Sequence, residues 1–167
     1  SVLGHASSKD GENFDERSTK PVYVPREPFE MKKQPGNSGC EDPRLTLIDD
    51  TIYMLYTAFD GVNLPRVAAT SISVKNFLAK DWHWAKPIII SPFGVDDKDA
   101  FIFPKKIGKN HLIFHRVGLD ICADQISSLD FKTECVKTIT PIVSPRKFLW
   151  DSERIGINTP AIESKNG

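Results

Sequence analysis

Two stretches of this chain share one layout, and the spacing between them limits the fold more than any other feature. Gly39-Cys40-Glu41-Asp42-Pro43-Arg44 leads into apolar runs at 44–49 and 51–59, divided by Asp49-Asp50. Asp97-Lys98-Asp99-Ala100 leads into runs at 100–107 and 111–117, divided by Gly108-Lys109-Asn110. Laid over one another, Asp42 falls on Asp99, 57 residues on, and Tyr56 falls on His115, 59 residues on. Each copy reads as a β-hairpin, with β-branched and aromatic runs broken by turn-forming residues. A third copy begins at Thr159-Pro160-Ala161-Ile162-Glu163 and reaches a turn at Lys165-Asn166-Gly167. Repetition of this kind marks a unit that buries its apolar face against its neighbours, and about four strands per period favour propeller blades over solenoid coils.

The remaining segments agree with an all-β class. Residues 66–73 predict a third strand, 88–91 a fourth, and 121–126 and 135–139 later ones, while the single turn 74–79 is the one helical candidate. Residues 1–39 are rich in Gly, Pro, Ser, Lys and Asp, with one apolar island at Val22-Tyr23-Val24. We expect one domain over residues 1–167, truncated at both ends relative to the natural protein. The third copy stops where its second hairpin strand should start, and a propeller short of blades leaves open sheet edges.

Composition narrows the partners. Lysine plus arginine and aspartate plus glutamate number 22 each, a balance that points away from nucleic acid. No apolar run approaches the roughly 18 residues of a membrane span. Three cysteines, Cys40, Cys122 and Cys135, form an odd set without metal-ligand spacing, which fits reduced thiols and a cytoplasmic location. The four histidines are scattered, so no metal site is expected. Nor is there a Gly-rich phosphate loop.

Gly39-Cys40-Glu41-Asp42-Pro43-Arg44 resembles the G-x-E-D-P-R signature of glycoside hydrolase family 130, the β-mannoside phosphorylases and related β-mannosidases. Asp97-Lys98-Asp99-Ala100 with Phe103-Pro104, then His115-Arg116, is similar to a second signature of that family. Trp150-Asp151-Ser152-Glu153-Arg154-Ile155-Gly156 with Thr159-Pro160 resembles a third. All three stand in family order. The resemblance implies a five-bladed β-propeller with a central sugar pocket, of which this chain covers roughly three blades. The chain departs from the pattern at Ile157-Asn158, where the family usually carries small residues and extra prolines.

The activity so implied is that of an inverting glycoside phosphorylase, which cleaves a β-mannoside with inorganic phosphate and releases mannose 1-phosphate. Inverting hydrolysis needs two carboxylates, an acid and a base that activates water. Phosphorolysis needs one acid, because phosphate is already a nucleophile, and a cluster of cations to hold that anion. By resemblance Asp42 is the general acid, protonating the glycosidic oxygen directly or through a sugar hydroxyl. Arg66, Lys98 and His115 are implied as phosphate ligands. Glu41, Arg44, Asp60, Asp99 and Arg116 are implied as substrate-binding residues, with Glu41 also an alternative acid.

Plainer readings stand beside these. Asp42 before Pro43 suits a turn cap or a partner for Arg44, and Asp60 before Gly61 suits a turn. Lys98 lies between two aspartates, as in a solvated charge cluster, and His115 closes an apolar run, as a satisfied core histidine does. Strand alternation sets Arg116 on the face opposite His115. Tyr56, Trp82, Trp84 and Trp150 are either sugar-stacking surfaces or core. Three rivals remain for function: a β-mannosidase of the same family, a furanosidase-type propeller, and a non-catalytic sugar-binding propeller fragment. The expected partners are a β-mannoside oligosaccharide and phosphate, with no organic cofactor, no nucleic acid and no membrane. Some relatives assemble, which allows a homo-oligomer.

Overall fold

The computed structural model describes residues 1–131, 135–137, 139–162 and 164–165. Among these residues the fold is all-β apart from one short helix. Strands β1 (Ala6–Ser8) and β2 (Phe14–Arg17) form a small hairpin. Next come β3 (Gly39–Ile48), β4 (Thr51–Phe59), β5 (Arg66–Ser73), the helix α1 (Val74–Leu78) and β6 (Ile88–Ile89). The last three are β7 (Asp97–Ile102), β8 (His111–Val117) and β9 (Asp120–Ile126). They make a four-stranded sheet in the order β3-β4-β5-β6 and a three-stranded sheet in the order β7-β8-β9, antiparallel throughout.

The repeat seen in the sequence is a repeat of strand register. Cys40 faces Ala58 and Glu41 faces Thr57 across β3 and β4, as Asp97 faces Val117 and Lys98 faces Arg116 across β7 and β8. Farther along, Arg44 faces Leu55 and Leu45 faces Met54, as Phe101 faces Phe114 and Ile102 faces Ile113. Every pair moves by the same offsets, 57 on the first strand and 59 on the second. A bulge interrupts the ladder at the same place in both, between Glu41 and Arg44 and between Lys98 and Phe101.

Period-2 alternation along the central strands builds a core on each face of the first sheet. Leu55, Val67 and Ala69 point to one side and pack with Ile90, Ala100, Ile102 and Ile113 of the second sheet and its approach. Met54, Tyr56, Ala58 and Ala68 point to the other and pack with Tyr23, Cys40, Ile72 and Trp84. The Thr46 hydroxyl donates to the Ile102 carbonyl at 2.9 Å and ties the two sheets together. A buried carboxylate anchors the N-terminal segment. Glu30 accepts from the backbone nitrogens of Arg26 and Glu27, from the Tyr56 hydroxyl and from the Cys40 thiol.

Several sequence expectations change. The strand expected over 100–107 ends at Ile102, because Pro104 has no N–H to continue a ladder. The strand expected over 88–91 shortens to Ile88–Ile89, and the Ser91 hydroxyl replaces a main-chain acceptor for the Val67 amide at 2.9 Å. Over 135–139 the described residues carry no strand and Thr138 lies outside them, although the Cys135 and Val136 amides both donate to the Ile90 carbonyl. Residues 159–162 of the third copy also form no strand, and Glu163, Asn166 and Gly167 lie outside the described residues. The β1–β2 hairpin was not expected. Every residue of β2 is exposed, so no alternating pattern announces it.

Candidate active site

The two bulges bring charged side chains to one cavity. Asp42 and Asp99 both take left-handed backbone angles there, with φ of 49° and 55°. Aspartate tolerates that region better than most residues, and a bulge re-aims the side chains around it. The starts of β3 and β7 thus face a common cavity of about 530 Å³, closed on a further side by the coil at 154–158. Its charged lining is Asp42, Arg44, Lys98, Asp99, Arg116 and Arg154.

Asp99 is the hinge of this arrangement. Its Oδ1 lies 3.1 Å from Arg44 Nη2 and its Oδ2 lies 2.7 Å from Arg116 Nε. Both guanidinium groups are nearly buried, with 8% of the Arg44 and 6% of the Arg116 side chain exposed. Arg44 uses its other donors on main-chain oxygens: Nη1 bonds the Asp42 carbonyl at 2.7 Å and Nε bonds the Ile157 carbonyl at 3.2 Å. Arg116 Nη1 donates to the Gly118 carbonyl. These two arginines are therefore committed to the walls. By contrast, the Asp42 carboxylate is exposed and accepts no hydrogen bond among the described residues. Among the described residues Lys98 reaches only Asp96, at 3.9 Å.

Five of the nine residues singled out in the sequence meet in this cavity: Asp42, Arg44, Lys98, Asp99 and Arg116. The other four stand elsewhere. Glu41 accepts from the Ser1 hydroxyl at 2.9 Å and does not line the cavity. Asp60 is buried in a turn, where it accepts from the Lys33 ammonium, the Val62 and Asn63 amides and the Asn63 side chain. Burial pushes its carboxyl up, but the Lys33 ammonium and those amides outweigh burial and hold it well below the usual carboxylate range. Arg66 lies over the Phe93 ring, 5.5 Å from its centroid, and lines a separate hollow of about 250 Å³ with Lys33 and Asp60.

His115 requires the largest correction. It is 1% exposed, and its Nδ1 sits 2.9 Å from Asp97 Oδ1 while Nε2 lies 3.2 Å from Asp124 Oδ2. Alternation on β8 turns Arg116 to the cavity and His115 to the interior. Burial pushes the Asp97 carboxyl upward against the pull of His115. Among the aromatic candidates, Tyr56 and Trp84 are core, Trp82 packs on His5 and Phe77, and Trp150 is exposed beside Arg146. None of the four lines the cavity.

Sequence reasoning did not single out Arg154 and Asn158, which complete the lining. They sit on coil without periodicity, and only their place within and just beyond the third motif could have marked them.

Comparison with known proteins agrees with this picture. The sequence model of glycoside hydrolase family 130, described as β-1,4-mannooligosaccharide phosphorylase, matches residues 1–167. A 1,2-β-oligomannan phosphorylase of Thermoanaerobacter sp. (strain X514) is 34% identical over 171 residues, covering 100% of this chain and 51% of that protein. The chain thus spans about half the length of the curated relatives it matches. The structure of β-1,2-mannobiose phosphorylase from Listeria innocua in complex with β-1,2-mannobiose superposes with a TM-score of 0.70 at 24% identity, over 97% of this chain and 42% of that one. A second structure, from work on family 130 hydrolases that target β-1,2 mannosidic linkages in Candida mannan, gives a TM-score of 0.74 at 24% identity, over 99% and 49%. At such identities the two structures speak for the shared fold.

Proposed function

The chain belongs to glycoside hydrolase family 130, and from that premise we propose that its cavity carries out inverting phosphorolysis of a β-mannoside, releasing mannose 1-phosphate. The observation that carries this reading is the charge of the lining. Among the described residues Arg44, Lys98, Arg116 and Arg154 line the cavity with two carboxylates, Asp42 and Asp99, and one of those is occupied by two arginines. A surplus of two positive charges in a confined space suits hydrogen phosphate, a dianion.

In this reading a phosphate oxygen attacks the anomeric carbon, the bond from that carbon to the glycosidic oxygen breaks, and Asp42 supplies the proton to the leaving oxygen. Asp42 suits the role because its carboxylate is uncommitted and opens on the cavity. Lys98 holds the phosphate. Arg44, Asp99 and Arg116 frame the site and leave their outer edges for substrate. Hydrolysis by the same cavity would need a second free carboxylate to activate water. Asp99 is the one other carboxylate in the charged lining, and it is held between Arg44 and Arg116.

The fold reading follows the same line. Two sheets in identical register, stacked through one core, support blades of a five-bladed β-propeller whose axis passes near the bulges. The deciding experiment incubates the intact natural protein with β-1,2- and β-1,4-mannobiose, with and without inorganic phosphate. Mannose 1-phosphate formed only with phosphate is the expected product. Free mannose formed at equal rate without phosphate makes the protein a hydrolase.

A further inference from the structure

Of the four cations in the cavity, two are already paired with a carboxylate and with main-chain oxygens. Arg44 is engaged by Asp99, by the Asp42 carbonyl and by the Ile157 carbonyl, and Arg116 by Asp99 and the Gly118 carbonyl. That leaves Lys98 and Arg154. Arg154 is exposed, lines the cavity and makes no hydrogen bond or ion pair among the described residues. Resting on the phosphorolysis reading above, we propose that Arg154 binds the substrate phosphate together with Lys98, and that Arg44 holds Arg154 in place through the carbonyl of Ile157.

The segment that carries Arg154 is anchored on both sides although it has no secondary structure. Before it, Arg146 Nε pairs with Asp151 Oδ2 at 2.9 Å and the Ser152 amide donates to the Leu149 carbonyl at 3.1 Å, which closes a turn. After it, the Ile157 carbonyl is fixed by the buried Arg44. Gly156 lies close to the same charged pair: a Cβ built there would come within 3.8 Å of Asp99 Oδ2. The backbone is therefore pinned at its ends while the guanidinium between them stays free. A fork of unpaired N–H donors on a fixed backbone is well suited to a tetrahedral oxyanion. The two anchors also explain why Arg44, a residue of the first sheet, is spent on a main-chain oxygen of the far coil.

The test measures steady-state kinetics of the intact natural protein and its Arg154→Ala and Arg154→Lys variants on β-mannobiose, with inorganic phosphate as the varied substrate. Arg154→Ala is expected to raise KM for phosphate at least about tenfold, as loss of a charge-assisted hydrogen bond does. KM for the mannoside should stay within about twofold, and the melting temperature should not move, since Arg154 is exposed and makes no ion pair among the described residues. Arg154→Lys should recover part of the loss by restoring charge without the fork. A phosphate-dependent wild type whose Arg154→Ala variant keeps its phosphate KM overturns the role of Arg154 alone. A wild type that turns over without phosphate overturns this proposal together with the reading beneath it.

Discussion

Asp42 and Asp99 occupy one position in two successive sheets, with the same left-handed backbone and the same bulge, yet their carboxylates meet opposite fates. The difference lies in what the register sets beside them. In the second sheet Arg116 stands across from Lys98 and reaches Asp99, while Arg44 crosses from the first sheet to the same carboxylate. In the first sheet the place of Arg116 is taken by Thr57, which faces Glu41 and whose buried hydroxyl finds no partner among the described residues. Asp42 is left free because its neighbour is short and neutral. One repeat unit thus yields both a paired anion and a carboxylate with no partner among the described residues.

Asp42→Asn should remove the proton donor and little else. Asparagine accepts left-handed angles as readily as aspartate, so the bulge should persist. Turnover is expected to fall at least about 100-fold. The release of mannose 1-phosphate by the intact protein reports the loss, and an unchanged thermal melt reports the intact fold.

Asp99→Asn should act in the opposite manner. It keeps the backbone preference but strips the charge between two nearly buried guanidinium groups. A loss of about 2 kcal/mol is expected from leaving those cations unpaired. Asp99→Ala should cost about 1 kcal/mol more, because alanine resists the left-handed region. Denaturant unfolding of the two variants checks that order.

Much of the fold was legible, and the reason is local. Apolar alternation and turn residues mark β4, β5 and β8 to the residue, whereas β3 begins at Gly39, five residues before the run expected over 44–49, and the offsets of 57 and 59 proved to be the register of the two hairpins. The site was legible where a residue's neighbours in sequence set its direction, as with Asp42, Lys98 and Asp99 in their bulges. It was not legible for His115 and Arg116, where strand alternation names two faces without saying which one meets the cavity. Nor could sequence reveal that Asp60 is consumed by Lys33, 27 residues away. Arg154 was hidden for a third reason. Its place depends on a main-chain carbonyl held by a side chain 113 residues distant.

Asp60 should leave a mark on acid stability. Its carboxyl is held low in the fold, so the unfolded chain binds the proton more tightly and stability rises with pH across that window. The contribution is complete above the ordinary carboxylate range near 3.8 and is lost as pH falls below it. Asp60→Asn keeps an acceptor for the Val62 and Asn63 amides but cannot pair with Lys33. Its unfolding free energy should be lower at neutral pH and flatter on the acid side than that of the wild type. A parallel pair of curves would remove Asp60 from the acid transition.

The Asp97–His115 pair separates a buried scaffold from a ligand site most sharply. His115→Ala would leave the Asp97 carboxylate, 0% exposed, without its nearest partner. A loss of about 3 kcal/mol is expected. Adding Asp97→Asn should recover part of that loss, with a coupling energy of about 1 kcal/mol or more in a double-mutant cycle. The pH dependence has a definite sign as well. The Asp97 carboxyl is raised in the fold, so its proton is held more tightly there, and stability falls as pH climbs from about 3.8 through the folded value. Asp97→Asn should abolish that slope. Phosphate affinity should be unmoved in whatever fraction of His115→Ala stays folded, because the ring lies behind the strand rather than in the cavity. A tenfold rise in phosphate KM with no loss of stability would return His115 to the site and reverse the assignment of the two faces of β8.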